Sequence, residues 1–160
     1  MRETGAIMAR MRKTQGLSQE RLAEMARIHV NTISNVERGI GDPSVIVLSL
    51  ILTRLGCPGL QFDDIGFHPW EPALGAGDAA AIEPMTKSYI AAEIGTTIRG
   101  LRLDRGLSLR TFADEASIHI NTIWNVENGL VASSSFAIYR LYRALGTSCI
   151  KARGSSIEVL

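Results

Sequence analysis

The sequence predicts an all-α fold of two small helical bundles joined by an irregular acidic linker, and three observations carry that prediction. Residues 16–39 contain two short amphipathic segments joined by a tight turn. Leu17, Leu22, Ala23 and Ala26 share one face of the first segment, and Ile33 and Val36 one face of the second, at helical rather than strand spacing. The pattern returns ninety positions later in residues 106–129, where fourteen of twenty-four aligned residues are identical. Between the repeats, residues 57–85 turn to glycine, proline and acidic side chains. The predicted organisation is therefore a helix-turn-helix unit in 1–56, a linker in 57–85, and a second helix-turn-helix unit with a tail in 86–160.

Length agrees with this division. A chain of 160 residues forms one ordinary domain or two small ones, and an internal repeat of long period favours two. Each repeat with its flanking helices spans about 55 to 70 residues, near the lower limit for a domain that folds alone. The halves are expected to lean on each other or on a second chain.

In the first unit, residues 4–14 place Ile7, Met8 and Met11 on one side and Arg10, Arg12 and Lys13 around the other, a helix stopped near Gly16. Ser18 is a good N-cap for a helix over 19–27, with Glu20 in its positively polarised first turn. Ile28 lies in the turn, and a third helix starts at His29 or Val30 and ends at Gly39, a glycine placed as a C-cap. After Asp42, Pro43 and Ser44, residues 45–55 are apolar at almost every position, which predicts a buried or interface helix.

The linker includes Phe62, Phe67, His68, Pro69 and Trp70, of which Phe67 and Trp70 either pack on the neighbouring domain or dock a partner, packing being the ordinary fate of large aromatics. The second unit opens with a helix over 87–104, where Ile90, Ile94, Ile98 and Leu101 recur at helical spacing. Its helix-turn-helix follows, and residues 136–145 correspond to the apolar helix of the first unit. The tail, 148–160, leaves the helical pattern and predicts a short hairpin or an added strand.

Net charge is +1, which at first argues against nucleic acid, but the charge is unevenly spread. Residues 1–56 carry eight Lys/Arg against five Asp/Glu, residues 57–85 none against five, and residues 86–160 nine against six. An acidic middle hides two basic ends, each sufficient for phosphate contacts. Cys57 and Cys149 match no metal-ligand spacing, and the three histidines offer no ligand pair within a helix, so no metal or other cofactor is expected. Neither a signal peptide nor an apolar run of membrane-spanning length is evident, so a reduced, cytoplasmic protein without membrane contact is expected.

These residues resemble the XRE or Cro-like family of phage-repressor helix-turn-helix proteins. The signature is Leu17-Ser-Gln-Glu-x-Leu-Ala, then Ile28-His-x-x-Thr-Ile-Ser-x-x-Glu-x-Gly39, then Asp42-Pro-Ser and a closing Leu55-Gly56. The resemblance covers both ends of the chain but not the linker or tail. It implies two lambda-repressor-like bundles of about five helices, in each of which the third helix enters the major groove.

Carried over position by position, the resemblance implies base reading by His29, Val30, Asn31 and Asn35, and by His119, Ile120, Asn121 and Asn125. An Asn amide can donate to and accept from an adenine edge, and Val or Ile can sit against a thymine methyl. His29 and His119 either touch phosphate or close the turn. Gln19 matches a phosphate-contacting position, with Arg10, Lys13 and Arg38 as further phosphate candidates. Arg12 with Glu37, and Arg102 with Glu127, match a structural ion pair that does not read DNA.

The second unit departs from the first in one direction. Gln19 becomes Leu109, Ser34 becomes Trp124, Arg38 becomes Asn128 and Gly41 becomes Val131, so apolar groups replace polar ones. Trp124 should not face the core, since Ile123 and Val126 already do. Trp124, Leu109 and Trp70 are therefore candidates for a protein interface, while Trp124 against the DNA backbone or the linker is the alternative.

Operator half-sites lie about 34 Å apart, and a flexible linker of 29 residues reaches about 27 to 32 Å. One chain acting as a pseudo-dimer on a roughly symmetric operator is favoured, with a homodimer presenting four heads as the competing arrangement. The expected function is sequence-specific double-stranded DNA binding as a transcriptional regulator, acting as a repressor. The alternatives are the DNA-binding antitoxin of a toxin-antitoxin pair, or a regulator whose second domain binds protein. An enzyme is not expected, because no nucleophile-base pair, carboxylate pair or phosphate loop stands out.

Overall fold

The computed structural model describes residues 2–57, 59–63, 66–69, 87–130, 133–147, 149–153 and 156–159, with the backbone alone for Tyr89 and the strands. The first unit contains α1 (Arg2–Thr14), α2 (Gln19–Ala26), α3 (Val30–Glu37) and α4 (Val45–Arg54), followed by β1 (Gly59–Asp63) and β2 (Gly66–Pro69). The second repeats that order as α5 (Lys87–Asp104), α6 (Leu109–Ala116), α7 (Ile120–Glu127), α8 (Ser135–Ala144), β3 (Cys149–Arg153) and β4 (Ser156–Val159). The fold is all-α in its two bundles, with a small sheet added.

Local chemistry places the helix boundaries. Ser18 caps α2, its Oγ accepting from the Arg21 amide at 3.1 Å, and Ser108 caps α6 in the same way from Thr111 at 3.1 Å. Ser44 and Ser134 cap α4 and α8. Each helix-turn-helix turn passes through a left-handed residue, Arg27 at φ 53° and Ser117 at φ 49°. There the Ile28 and Ile118 amides bond back to Ala23 and Ala113, which closes α2 and α6 and reverses the chain.

The core is continuous across the helices. Met8, Leu22, Ile33, Leu48 and Ile51 in the first unit, and Ile98, Phe112, Ile123 and Leu141 in the second, are essentially inaccessible to solvent. Gly5 allows α1 to cross α3 closely, since an added Cβ would lie 2.2 Å from the Val36 carbonyl oxygen. Gly95 does the same for α5 on Val126. The apolar helix α4 is buried along most of its length and touches α2, α5 and β1.

The sequence reading of 57–85 as irregular is corrected for its first part. Residues 59–63 and 66–69 pair antiparallel as β1 and β2, and the whole sheet has the order β2-β1-β3-β4. Gly59, Gly66 and Pro69 read locally as strand breakers, but β2 is an edge strand where Pro69 is tolerated. Pairing of β1 with β3, ninety residues away, is invisible to any local pattern. The tail forms β3 and β4, antiparallel to each other, as its pattern predicted. Trp70 and residues 70–86 lie outside the described residues.

The sheet carries an internal symmetry. Between β1 and β3 the pairs are Gly59 with Lys151, Leu60 with Ile150 and Gln61 with Cys149. Leu60 and Ile150 are repeat equivalents, and the outer two pairs exchange when each residue is replaced by its equivalent. A second contact repeats this, for Ser44 pairs with Ser134, its own equivalent, in an isolated antiparallel bridge. The two units thus meet about a pseudo-two-fold axis through both pairs.

Candidate nucleic-acid interface

The helix α3 is short, and its phase decides what it presents. Ile33 and Val36 point inward at 1 % and 2 % exposure, which turns Asn31, Asn35 and Arg38 to solvent, with Ser34 half-buried beside them. In α7, Ile123 and Val126 take the inward places. Asn121 and Trp124 are exposed and Asn125 is half-buried, so the two units present corresponding faces that differ in content.

His29 and His119 are the N-caps of these helices. His29 Nδ1 accepts from the Asn31 amide at 3.1 Å, and His119 Nδ1 from the Asn121 amide at 3.2 Å. That bond requires an unprotonated Nδ1 and leaves Nε2 to carry the hydrogen, a tautomer inferred from the bonding partner. Of the two roles open to these histidines, closing the turn is formed here, and both side chains remain exposed. Val30 is half-buried and Ile120 is 37 % exposed.

The far ends of α3 and α7 are each tied to the first helix of their unit. Arg12 Nε and Nη2 donate to Glu37 Oε1 and Oε2 at 2.6 and 2.9 Å, a two-pronged pair with both side chains 8 % exposed. Arg12 Nη1 also donates to the Leu17 carbonyl at 2.6 Å, so one guanidinium joins α1, the start of α2 and the end of α3. Arg102 repeats the arrangement with Glu127 at 2.6 and 2.9 Å and with the Leu107 carbonyl at 2.7 Å.

Gln19 is not simply turned outward. Its Nε2 donates to Glu37 Oε2 at 2.7 Å, completing the ion-pair cluster and leaving one amide hydrogen for any other partner. Sequence spacing missed this role because it depends on where the end of α3 falls against the start of α2. Burial alone would raise the Glu37 carboxyl, but the hydrogen bonds from Arg12 and Gln19 and the charges of Arg12 and Lys13 outweigh it. The group is held below the usual carboxylate range. Leu109 replaces Gln19 in the second unit and is half-buried.

Arg10, Lys13 and Arg38 are exposed on the first unit. Their repeat equivalents are Gly100, Leu103 and Asn128, so every phosphate candidate of the first unit, Gln19 included, has lost its charge or amide donor at that place except for the Asn128 amide. Asn128 Nδ2 is itself turned onto the Trp124 carbonyl at 2.7 Å. Trp124 is 50 % exposed, while Trp70, grouped with it on sequence grounds, lies outside the described residues. Among the described residues no cluster of three or more metal-ligating side chains occurs, and no helix is long and apolar enough to cross a membrane.

Residues 8–62 match the family described as Helix-turn-helix, and residues 93–149 match the family described as Helix-turn-helix domain. No curated protein matches the chain.

Proposed function

The chain belongs to the XRE-like helix-turn-helix family, with two such domains in tandem, and is a DNA-binding regulator; on that premise we propose that it is a repressor reading a roughly symmetric operator with both heads of one chain. The observation that carries this reading is the self-matching pairing of Ser44 with Ser134 and Leu60 with Ile150. Two similar heads related by a two-fold axis are what a two-fold operator requires.

Within each head the proposed readers are His29, Val30, Asn31 and Asn35, and His119, Ile120, Asn121 and Asn125. Asn31 and Asn121 sit one residue into their helices, where a side-chain amide can meet an adenine edge. With Nδ1 committed to the cap, each histidine would offer its Nε2 hydrogen to a phosphate, which combines the two roles the sequence left open. Arg10, Lys13 and Arg38, with the remaining amide hydrogen of Gln19, would supply phosphate contacts on the first head.

Selection of bound sequences from random DNA, followed by footprinting at fixed salt, tests this. Two similar half-sites about ten base pairs apart, protected by one chain, are expected. Asn31→Ala should cost about 1–3 kcal/mol at one A·T pair and relax specificity there alone. Failure to enrich any sequence would overturn the reading, as would equal weakening on every sequence by Asn31→Ala.

A further inference from the structure

Trp124 lies on the face of α7 that carries Asn121, not on its flank. Ile123 and Val126 fix the inward direction at 0 % and 3 % exposure, and a turn of about 100° per residue then places positions 121, 124, 125 and 128 outward. If α7 enters a groove with Asn121 against base edges, the indole enters beside it. It cannot be withdrawn into the core, because the inner face is filled. Ile120, 37 % exposed at the start of the same helix, extends the apolar surface by about one turn.

The equivalent place in α3 is Ser34, a small, half-buried hydroxyl, and the equivalent of Ile120 is Val30. The two heads thus share their Asn amides and differ in the group set beside them. A major groove offers one large apolar feature, the thymine 5-methyl, and it is absent from cytosine and from both purines.

We infer that Trp124, with Ile120, reads thymine methyl groups in one half-site, so that the operator is symmetric at the Asn-read positions and lopsided beside them. This inference rests on DNA reading by both heads. It makes Trp124 a specificity residue and gives the bound chain one preferred direction on its site.

The test uses the full chain and the sequence it selects from random DNA. Thymines of one half-site, then of the other, are replaced by deoxyuridine, which removes the methyl and keeps every hydrogen-bonding group. Loss of about fourfold in affinity per buried methyl is expected in the half read by α7, and little change at the matching place in the other half. Trp124→Ser should make the two halves equivalent, and the exposed position of Trp124 lets the fold survive, which circular dichroism checks. Ser34→Trp should transfer the methyl dependence to the first half and so identify which half each head reads.

A chain that selects a sequence but is blind to deoxyuridine in both halves overturns the inference and leaves DNA reading intact. A chain that selects nothing overturns both. Unchanged selection by Trp124→Ser, together with loss of self-association in sedimentation, would assign the indole to a protein surface and overturn the inference as well.

Discussion

At the scale of single residues, the ion-pair cluster at the end of α3 decides more about folding than about reading. Glu37 receives three hydrogen bonds, two from Arg12 and one from Gln19, in a site largely closed to water. Removing one partner of such a pair leaves the other charge buried without compensation. Glu37→Ala is therefore expected to lower stability by about 3–5 kcal/mol in urea unfolding, while the molecules that remain folded keep their selected sequence. The cluster also sets an acid limit. Because the folded carboxyl titrates below the unfolded one, near 4.3, its contribution is complete at neutral pH and is lost as pH falls through the folded value. Urea midpoints should stay level down to about that pH and decline below it, and Glu37→Gln should reduce the decline. The sequence showed Arg12 and Glu37 as partners only through family resemblance, since nothing local links residues 25 apart. The bond from Gln19 to Glu37 stays hidden in the sequence for the same reason.

At the scale of elements, the helices and the tail hairpin were legible and β1 and β2 were not. Helical phase, Ser caps and glycine stops lie within a few residues of one another, so residues 4–14, 19–27 and 87–104 came close to α1, α2 and α5. The inward pair on α3, Ile33 and Val36, was legible from that phase too. In contrast, β1 joins the tail because β3 pairs with it from the other end of the chain, β2 pairs with β1 alone, and their glycines and Pro69 argue against a strand. Gly5 is a quieter case. In sequence it is a weak point in a helix, but in the fold it is where α1 meets the α3 backbone. Gly5→Ala should separate α1 from α3 and cost about 1–3 kcal/mol, and Gly95→Ala should do the same in the second unit. Thermal unfolding of the two variants checks this, with equal costs expected because Gly5 and Gly95 make the same contact.

At the scale of the whole molecule, the seam between units is symmetric in its backbone and lopsided in its side chains. Asp42 Oδ1 accepts from Ser135 Oγ at 2.6 Å and from the Phe136 amide at 3.2 Å, so the first unit caps the start of α8 in the second. The sequence supplies this latch once, because the equivalents of Asp42 and Ser135 are Ala132 and Val45. Asp42→Ala should cost about 1 kcal/mol, as loss of a helix cap does. Since the core and the sheet cross the seam, protection against amide exchange is expected to fall in α1–α4 and α5–α8 together. A drop confined to α8 would mean that the units open separately. The pairing of β1 with β3 has a further consequence at the level of dilution. Two separate chains must first find each other, so their occupancy of a two-part DNA site falls off steeply as protein becomes scarce. A seam closed inside one chain forms at a rate independent of concentration, and the second head is always present at the effective concentration its tether sets. On the proposed two-headed reading, the protein would meet DNA with both heads already joined, even when it is scarce.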